Sequence, residues 1–145
     1  MAAIDLNTVR ETIESRLNNE FRKSEPIPII FNNVPFESTS ADKYIQCLTS
    51  FGASQYLTQE SSNTSTTATN LIVGICVFNI YTKQGLGAGS NFEIGKRLRN
   101  LFNRIIVSGV CFDAPIGPEV LQSNPEGKFQ TQIRITFEVY ETLTV

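Results

Sequence analysis

Residues 129–140 alternate between apolar and polar side chains more regularly than any other part of the chain. The inward set is Phe129, Thr131, Ile133, Ile135, Phe137 and Val139, and the outward set is Gln130, Gln132, Arg134, Thr136, Glu138 and Tyr140. A period of two is typical of a β-strand that buries one face and leaves the other open. The pattern therefore predicts a long antiparallel strand with one side facing solvent or a partner.

An amphipathic helix is predicted at residues 4–22, because its apolar residues recur every three or four positions. Either Asp5 caps its start, or Thr8 and Glu11 form a capping box slightly later. The apolar stripe consists of Leu6, Val9, Ile13, Leu17 and Phe21.

A second helix is predicted at residues 91–103, with Ser90 and Glu93 as a capping box at its start. Its buried side is expected to contain Ile94, Leu98, Leu101 and Ile105, or a neighbouring stripe through Phe102.

The remaining segments indicate a sheet. Residues 71–82 are apolar at nearly every position, which predicts a central strand covered on both faces. Pro26 and Pro28 exclude a helix next to them, so the following residues are expected to be extended and at a sheet edge. The other predictions are an extended segment at 27–31, a turn at 32–36, a hairpin of strands 43–51 and 54–58 around Gly52, a mobile loop at 59–70 and a strand at 105–113.

These elements predict one α+β domain over residues 1–145, with a mostly antiparallel and possibly mixed β-sheet and two helices packed against it. The sequence leaves the strand order open. The strand, helix and strand of residues 71–113 are compatible with a parallel crossover inside an otherwise antiparallel sheet.

Composition argues against catalysis. The chain has 145 residues, a formal net charge of -2 and no histidine, so it lacks the commonest general base and metal ligand. Its acidic residues are scattered, and neither a catalytic motif, a metal site nor a cofactor site is predicted. The cysteines, Cys47, Cys76 and Cys111, are each expected to be buried and reduced. Neither a signal peptide nor a membrane-spanning segment is predicted from the sequence, and we expect synthesis in the cytoplasm.

The segment GLGAGS at residues 85–90 lies between a predicted strand and a predicted helix, as phosphate-binding loops do. Its spacing departs from the dinucleotide motif, because Ser90 occupies the third glycine position. Lys96 lies too far into the helix for a P-loop. A flexible connector is the favoured interpretation, and a phosphate- or nucleotide-binding module is the alternative.

Polar and basic side chains supply the candidate contacts with partners. Arg97 and Arg104 are seven residues apart, which predicts one helical face, and Glu93 is placed to pair with Arg97. A solvated helix face and a contact with an acidic partner both explain this cluster. The complete set of interface candidates is Arg97, Arg104, Lys83, Ser62, Thr64, Thr67, Gln130, Gln132 and Arg134.

The order of these segments resembles that of the tail terminator proteins of long-tailed bacteriophages and a related phage domain family of unassigned function. The resemblance extends over nearly the whole chain. It rests on the N-terminal helix, on Asn33-Val34-Pro35-Phe36, on a strand opening with Tyr44-Ile45-Gln46, on a helix ending in Leu101-Phe102, on a Pro-Ile-Gly-Pro turn from Pro115 to Pro118, and on a last strand after Gly127-Lys128-Phe129. The chain differs from that family at Asn79, where members often carry an acid, and in the length of its 60–69 loop.

The resemblance implies a structural protein of the virion that closes as a ring, most simply of six copies, on the end of the tail tube. The ring would stop tube polymerisation and form the joint to the head-side connector, with DNA passing through its lumen without sequence-specific binding and no membrane contact. Arg97 and Arg104 are then expected to contact a neighbouring subunit or the tube. The segments 60–69 and 83–90 are expected to order against a partner. Another connector or neck protein is the alternative within the same class.

Overall fold

The computed structural model describes residues 4–23, 26–33, 42–61, 66–85, 87–121 and 127–144. Within them, two helices pack on a sheet of seven strands, so the α+β prediction is confirmed. The elements are α1 (Leu6–Lys23), β1 (Ile29–Ile30), β2 (Lys43–Ser61), β3 (Thr66–Lys83), α2 (Gly89–Phe102), β4 (Ile106–Val107), β5 (Val110–Phe112), β6 (Ile116–Val120) and β7 (Lys128–Thr144).

The strand order is β1-β2-β3-β7-β5-β4, and β6 pairs with β7 beside β5. Every pair of the described strands is antiparallel except β1 with β2, which makes the sheet mixed. Because β3 and β5 both run antiparallel to β7, the two are parallel to each other with β7 between them. The segment from β3 through α2 to β5 is therefore a crossover that passes over β7.

The second and third strands form one long hairpin, which corrects two predictions. β2 does not end at Gly52, and residues 59–61 and 66–70 are strand rather than loop. Register shifts between Phe51 and Ser54 and between Tyr56 and Thr58 absorb extra residues without ending the ladder. Threonine is compatible with strands, so the polar composition of this segment did not exclude a sheet.

Both helices pack on one face of the sheet. The buried stripe of α1 is Val9, Ile13, Leu17 and Phe21, as predicted, whereas Leu6 is 43% exposed. α2 buries Ile94, Leu98 and Phe102, which confirms the stripe through Phe102. The facing sheet residues include Cys47, Cys76, Phe78, Ile80, Ile133, Ile135, Phe137 and Val139. The inward set of β7 is thus confirmed from Thr131 to Val139.

The prediction that β3 is covered on both faces is only partly right for the described residues, because Leu71, Asn79 and Tyr81 are buried on the face away from the helices but the residues between them are not. Val73, on the face away from the helices, is 38% exposed, and Ile75 and Val77 are half-buried. Apolar residues on both faces of a strand do not require two covering layers, because neighbouring side chains on a sheet shield one another.

The helix ends differ in how well the sequence predicted them. Asp5 caps α1, since its Oδ1 accepts a hydrogen bond of 2.8 Å from the Asn7 amide. The capping box predicted for α2 is wrong, because the helix begins at Gly89 after Ala88, which has no side-chain oxygen to offer. That helix also ends at Phe102, earlier than predicted.

Residues 105–113 form a tight hairpin, not the single strand that was predicted. β4 and β5 pair through Val107 and Val110 around the two-residue loop Ser108-Gly109. Both loop residues have positive φ, 49° and 82°, as a type I′ turn requires. The Ser-Gly dipeptide was the available signal for this turn.

Two glycines allow close packing against the sheet. A Cβ at Gly74 would lie 2.2 Å from the ring of Phe137, so the absence of a side chain there is what lets this ring occupy the core. A Cβ at Gly95 would lie 2.9 Å from Pro118, which places β6 directly against α2.

Candidate interaction surface

The face of the sheet opposite the two described helices is called here the open face. The contacts of the helices fix this assignment: Asn91 of α2 bonds to Thr82 and Thr131, and Phe102 stacks on Phe78 at 5.4 Å, all on the other face. The open face contains Tyr44, Gln46, Leu48, Val73, Ile75, Val77, Asn79, Tyr81, Gln130, Gln132, Arg134, Thr136, Glu138 and Tyr140.

Four amide side chains form a connected group on this face. The Oδ1 atom of Asn79 accepts hydrogen bonds from Gln130 (3.0 Å) and Gln132 (2.9 Å), and its Nδ2 donates to Gln46 Oε1 at 3.0 Å. Asn79 is only 5% exposed. Because every contact crosses between strands, the group ties β2, β3 and β7 together and fixes the orientation of the amides. We call it the amide cluster.

Aromatic and basic side chains lie beside the amide cluster. Tyr44 and Tyr81 stack with ring centroids 4.7 Å apart, and the Lys128 ammonium lies 5.7 Å from the Tyr44 centroid. Burial, followed by the proximity of Tyr44, raises the pKa of the Tyr81 hydroxyl. Lys83 is exposed and is paired in the strand register with Lys128, so this end of the open face is basic.

The other end of the open face carries acids with hydrogen-bond partners. Thr136 donates to Asp113 Oδ2 at 2.6 Å, and Tyr140 donates to Glu138 at 2.7 Å, which raises the pKa of that phenol. Between the two ends, Arg134 pairs with Glu119 of β6 at 2.7 Å. Basic and acidic groups therefore lie at opposite ends of the same face.

The sheet is much longer than the helices that cover it. α1 and β3 each contain 18 residues, but a helix rises about 1.5 Å per residue and a strand about 3.3 Å. The core residues of β3 in contact with the helices, Cys76, Phe78 and Ile80, all lie in its C-terminal half. The other half extends past the main core.

We call this extension the distal ribbon: residues 52–61 of β2, 66–74 of β3 and 140–144 of β7. It exposes Leu57 at 45%. One contact joins it to the N-terminal segment, where Glu141 accepts hydrogen bonds from Asn70 Nδ2 (2.9 Å) and from the Ile4 amide (2.7 Å). The predicted interface residue Thr67 is half-buried in this ribbon, whereas Ser62 and Thr64 lie outside the described residues, as does the stretch 34–36.

The basic cluster of the second helix acts largely within the chain. Arg97 lies 4.3 Å from the Phe21 ring centroid and pairs with Glu20 at 3.5 Å, which joins α2 to α1. Arg99 donates to the carbonyls of Pro115 and Gly117 and thereby holds β6. Neither of these two contacts was predicted from the sequence.

Arg104 does not share a helical face with Arg97, contrary to prediction. It lies after the end of α2, has a positive φ of 51° and is exposed. The seven-residue spacing has meaning only inside a continuous helix. Contact of either arginine with a partner stays a prediction.

The thiols divide between the two faces. Cys47 and Cys76 are buried under the helices, and burial raises the pKa of Cys47 to about 12 and also that of Cys76. Cys111 is only half-buried, which corrects the prediction for that residue. It pairs in register with Glu138 and therefore points to the open side.

The other features of the described residues that bear on ligand or membrane binding are a glycine turn, a polar groove, the placement of the acidic and cysteine side chains, and the length of the helices. Gly85 and Gly87 adopt positive φ values of 90° and 79°, which makes the glycine segment a turn into α2. A groove of about 650 Å³ runs between α1 and the β4–β5 hairpin and is mostly lined by polar side chains. Among the residues described, no cluster of His, Cys, Asp or Glu could hold a metal ion. None of the helices placed by the structure is long and apolar enough to cross a bilayer.

Comparison with known proteins finds structures of similar fold. No protein-family profile matches the chain, and no curated protein matches it. Fourteen chains of solved structures are similar to it. One of them, whose designation describes no function, has a TM-score of 0.67 at 14% sequence identity, covering 94% of this chain and 96% of that chain. The shared fold thus extends over nearly the full length of both chains.

Proposed function

We propose that this protein is a structural component of a phage virion, a tail terminator subunit that closes as a ring on the end of the tail tube. The proposal begins from the order of sequence segments that resembles tail terminators. It is supported by sheet edges and a sheet face that the described helices do not cover, which are suited to contacts with other proteins.

The observation that carries the proposal is the difference in length between the sheet and its helical cover. The distal ribbon extends past the helices with β2 on one side and β7 on the other, and these two sides offer different strands to a neighbour. Head-to-tail contacts between identical subunits need two different surfaces, and they form a ring when the rotation between neighbours closes.

The proposed ring has three further partners. One side of it binds the tail tube protein and ends polymerisation, the other side binds the head-side connector, and DNA passes through the lumen without sequence readout. The protein would then be located at the tail–neck junction of the virion, after synthesis in the cytoplasm of the host bacterium.

The test is the solution mass of the purified chain by light scattering, followed by negative-stain imaging and addition to polymerising tube protein. We expect a closed ring, most simply a hexamer, that fixes tube length when added in increasing amounts. A chain that instead polymerises without limit is a tube subunit. A ring that leaves tube length unchanged, but binds the isolated connector, is a different neck protein.

A further inference from the structure

The long hairpin is nearly free of charge, which is unusual for a surface element. Between residues 44 and 82 the sequence contains one charged residue, Glu60. Its outer strand, β2, is 19 residues long and contains no proline. Charges and prolines are two of the means by which natural proteins keep an exposed strand from pairing with another chain, and β-bulges, which the two register shifts of β2 resemble, are a third.

Most of the outer edge of β2 has no strand beside it among the described residues. β1 pairs only with Ile45 and Gln46, and the side chain of Asn32 reaches the Thr49 carbonyl at 3.1 Å. Past Thr49, the described part of the chain places no backbone partner on this edge. The pairing with β1 shows that the edge can accept a strand.

A second edge is open on the opposite side of the ribbon. β5 accompanies β7 only as far as the pair Val110 and Val139. Residues 140–144 of β7 continue past this pair, along β3 on one side and with no described strand on the other. Apart from Glu141, whose carboxylate is turned to Asn70 and Ile4, this edge is uncharged as well.

The hydrogen-bond pattern shows which amides point outward. The Ile45 amide donates to the Pro28 carbonyl, which lies outside the β2–β3 ladder. The backbone N–H groups of alternate residues of β2, counted from Ile45 to Phe51, therefore point to the outer edge. Because the register shift after Phe51 adds one residue, the next outward N–H group belongs to Ser54. On β7, the Thr136 and Gln130 carbonyls accept hydrogen bonds from backbone amides on the side away from β3. The backbone N–H and C=O groups of the even-numbered residues of β7, including Thr142, therefore point away from β3.

We propose that the outer edge of β2 in the distal ribbon pairs with residues 140–144 of β7 in a second copy of this chain, so that neighbouring sheets join edge to edge. This inference rests on the proposed function and names the contact that closes its ring. A second copy is the occupant that the geometry favours, because each copy brings one edge of each kind. A closed ring then leaves neither edge open, whereas an unrelated strand would cover only one.

Proline at an outward position tests the pairing without breaking the ladder inside the monomer. Ser54→Pro removes an outward amide from β2, and Thr142→Pro removes one from β7. Prolines are tolerated on edge strands where the N–H faces solvent and at bulges. The matched controls are Ser54→Ala and Thr142→Ala, which keep the amide. Circular dichroism and thermal melts check that all four variants fold.

Light scattering on the full chain then gives the result. We expect the wild type and both alanine variants to form the ring, and each proline variant alone to have the single-chain mass of 16.1 kDa. An equimolar mixture of the two proline variants should form a species of twice that mass and stop there. The Ser54→Pro chain still offers its β7 edge, and the Thr142→Pro chain still offers its β2 edge.

The outcomes separate the inference from the proposed function. Folded proline variants that form the same ring as the wild type overturn the edge contact and leave the terminator proposal standing. A mixture that remains at single-chain mass also overturns the edge contact. A wild type that is a single chain at every concentration, with and without tube protein, overturns both. If either proline variant is unfolded, Ser54→Lys and Thr142→Lys replace it, since a charge on the edge opposes pairing while retaining the amide.

Discussion

The helix-covered half of the sheet and the distal ribbon are built from the same three strands, yet they differ in what stabilises them. In the covered half, Phe78, Ile133 and Ile135 are fully buried beneath α1 and α2. In the ribbon, stability comes from the backbone ladder and from cross-strand side-chain pairs, while Leu57 and Val73 remain exposed. The covered half therefore contains most of the apolar core of the described residues, and the ribbon is the part that the proposed edge contact would use.

The largest effect should come from removing a ring in the covered half. Phe78→Ala deletes the partner of Phe102 and leaves a cavity, which costs about 3–5 kcal/mol of unfolding free energy. Val73→Ala, five residues away on the open face, should cost less than about 1 kcal/mol because its side chain is already partly in water. Urea denaturation measures both. Equal losses would contradict the division of the sheet into two parts.

The next effect tests the boundary between the two parts, where Gly74 faces the Phe137 ring. Gly74→Ala forces its Cβ into that ring and should cost about 1–3 kcal/mol through overpacking. Gly52→Ala is the matched control, since its Cβ would meet only the Val73 carbonyl at 3.3 Å. Thermal melts compare them. A Gly74→Ala protein as stable as the Gly52→Ala protein would show that Phe137 is not fixed in the core.

The amide cluster gives the third effect, on the open face itself. Asn79→Ala removes the shared acceptor of Gln130 and Gln132 and should cost about 1–3 kcal/mol. Asn79→Asp should cost less, because both donors keep an oxygen and Gln46 can turn its amide to donate to the new one. Denaturation at pH 7 ranks the variants, and an aspartate as harmful as alanine would contradict this account.

Sequence reasoning succeeded where one strong local period decided the structure. The alternation of β7 and the helical stripe of Val9, Ile13 and Leu17 each specify a buried face without knowledge of the rest of the chain. Asp5 is one of the two caps that the sequence predicts for α1, and the structure selects it through a contact between near neighbours in sequence.

It failed where distant pairing decided the structure. The Ser- and Thr-rich residues 59–61 and 66–70 resemble a loop in composition, but the register with β3 and β7 makes them strand. The amide cluster was invisible because its members come from three strands and meet only when the register is known. Asn79, a polar residue inside an apolar strand, was the one available signal.

The smallest effect separates the faces by the titration of their thiols. Because burial raises the pKa of Cys47 to about 12, above the unfolded value of 9.0, the native state retains a proton that the unfolded state loses. The contribution of the protonated Cys47 thiol to the unfolding free energy is complete below pH 9, and it is lost as the pH rises from there towards 12. At pH 10 the loss from this one thiol should be on the order of 1 kcal/mol. Cys47→Ala should therefore lose less stability between pH 8 and pH 10 than the wild type does. Cys111→Ala, which removes a half-buried thiol on the open side, should change the slope less. If Cys111→Ala changed the pH dependence of the unfolding free energy more than Cys47→Ala did, Cys111 would be the more buried thiol. That result would contradict the burial of Cys47 under the helices.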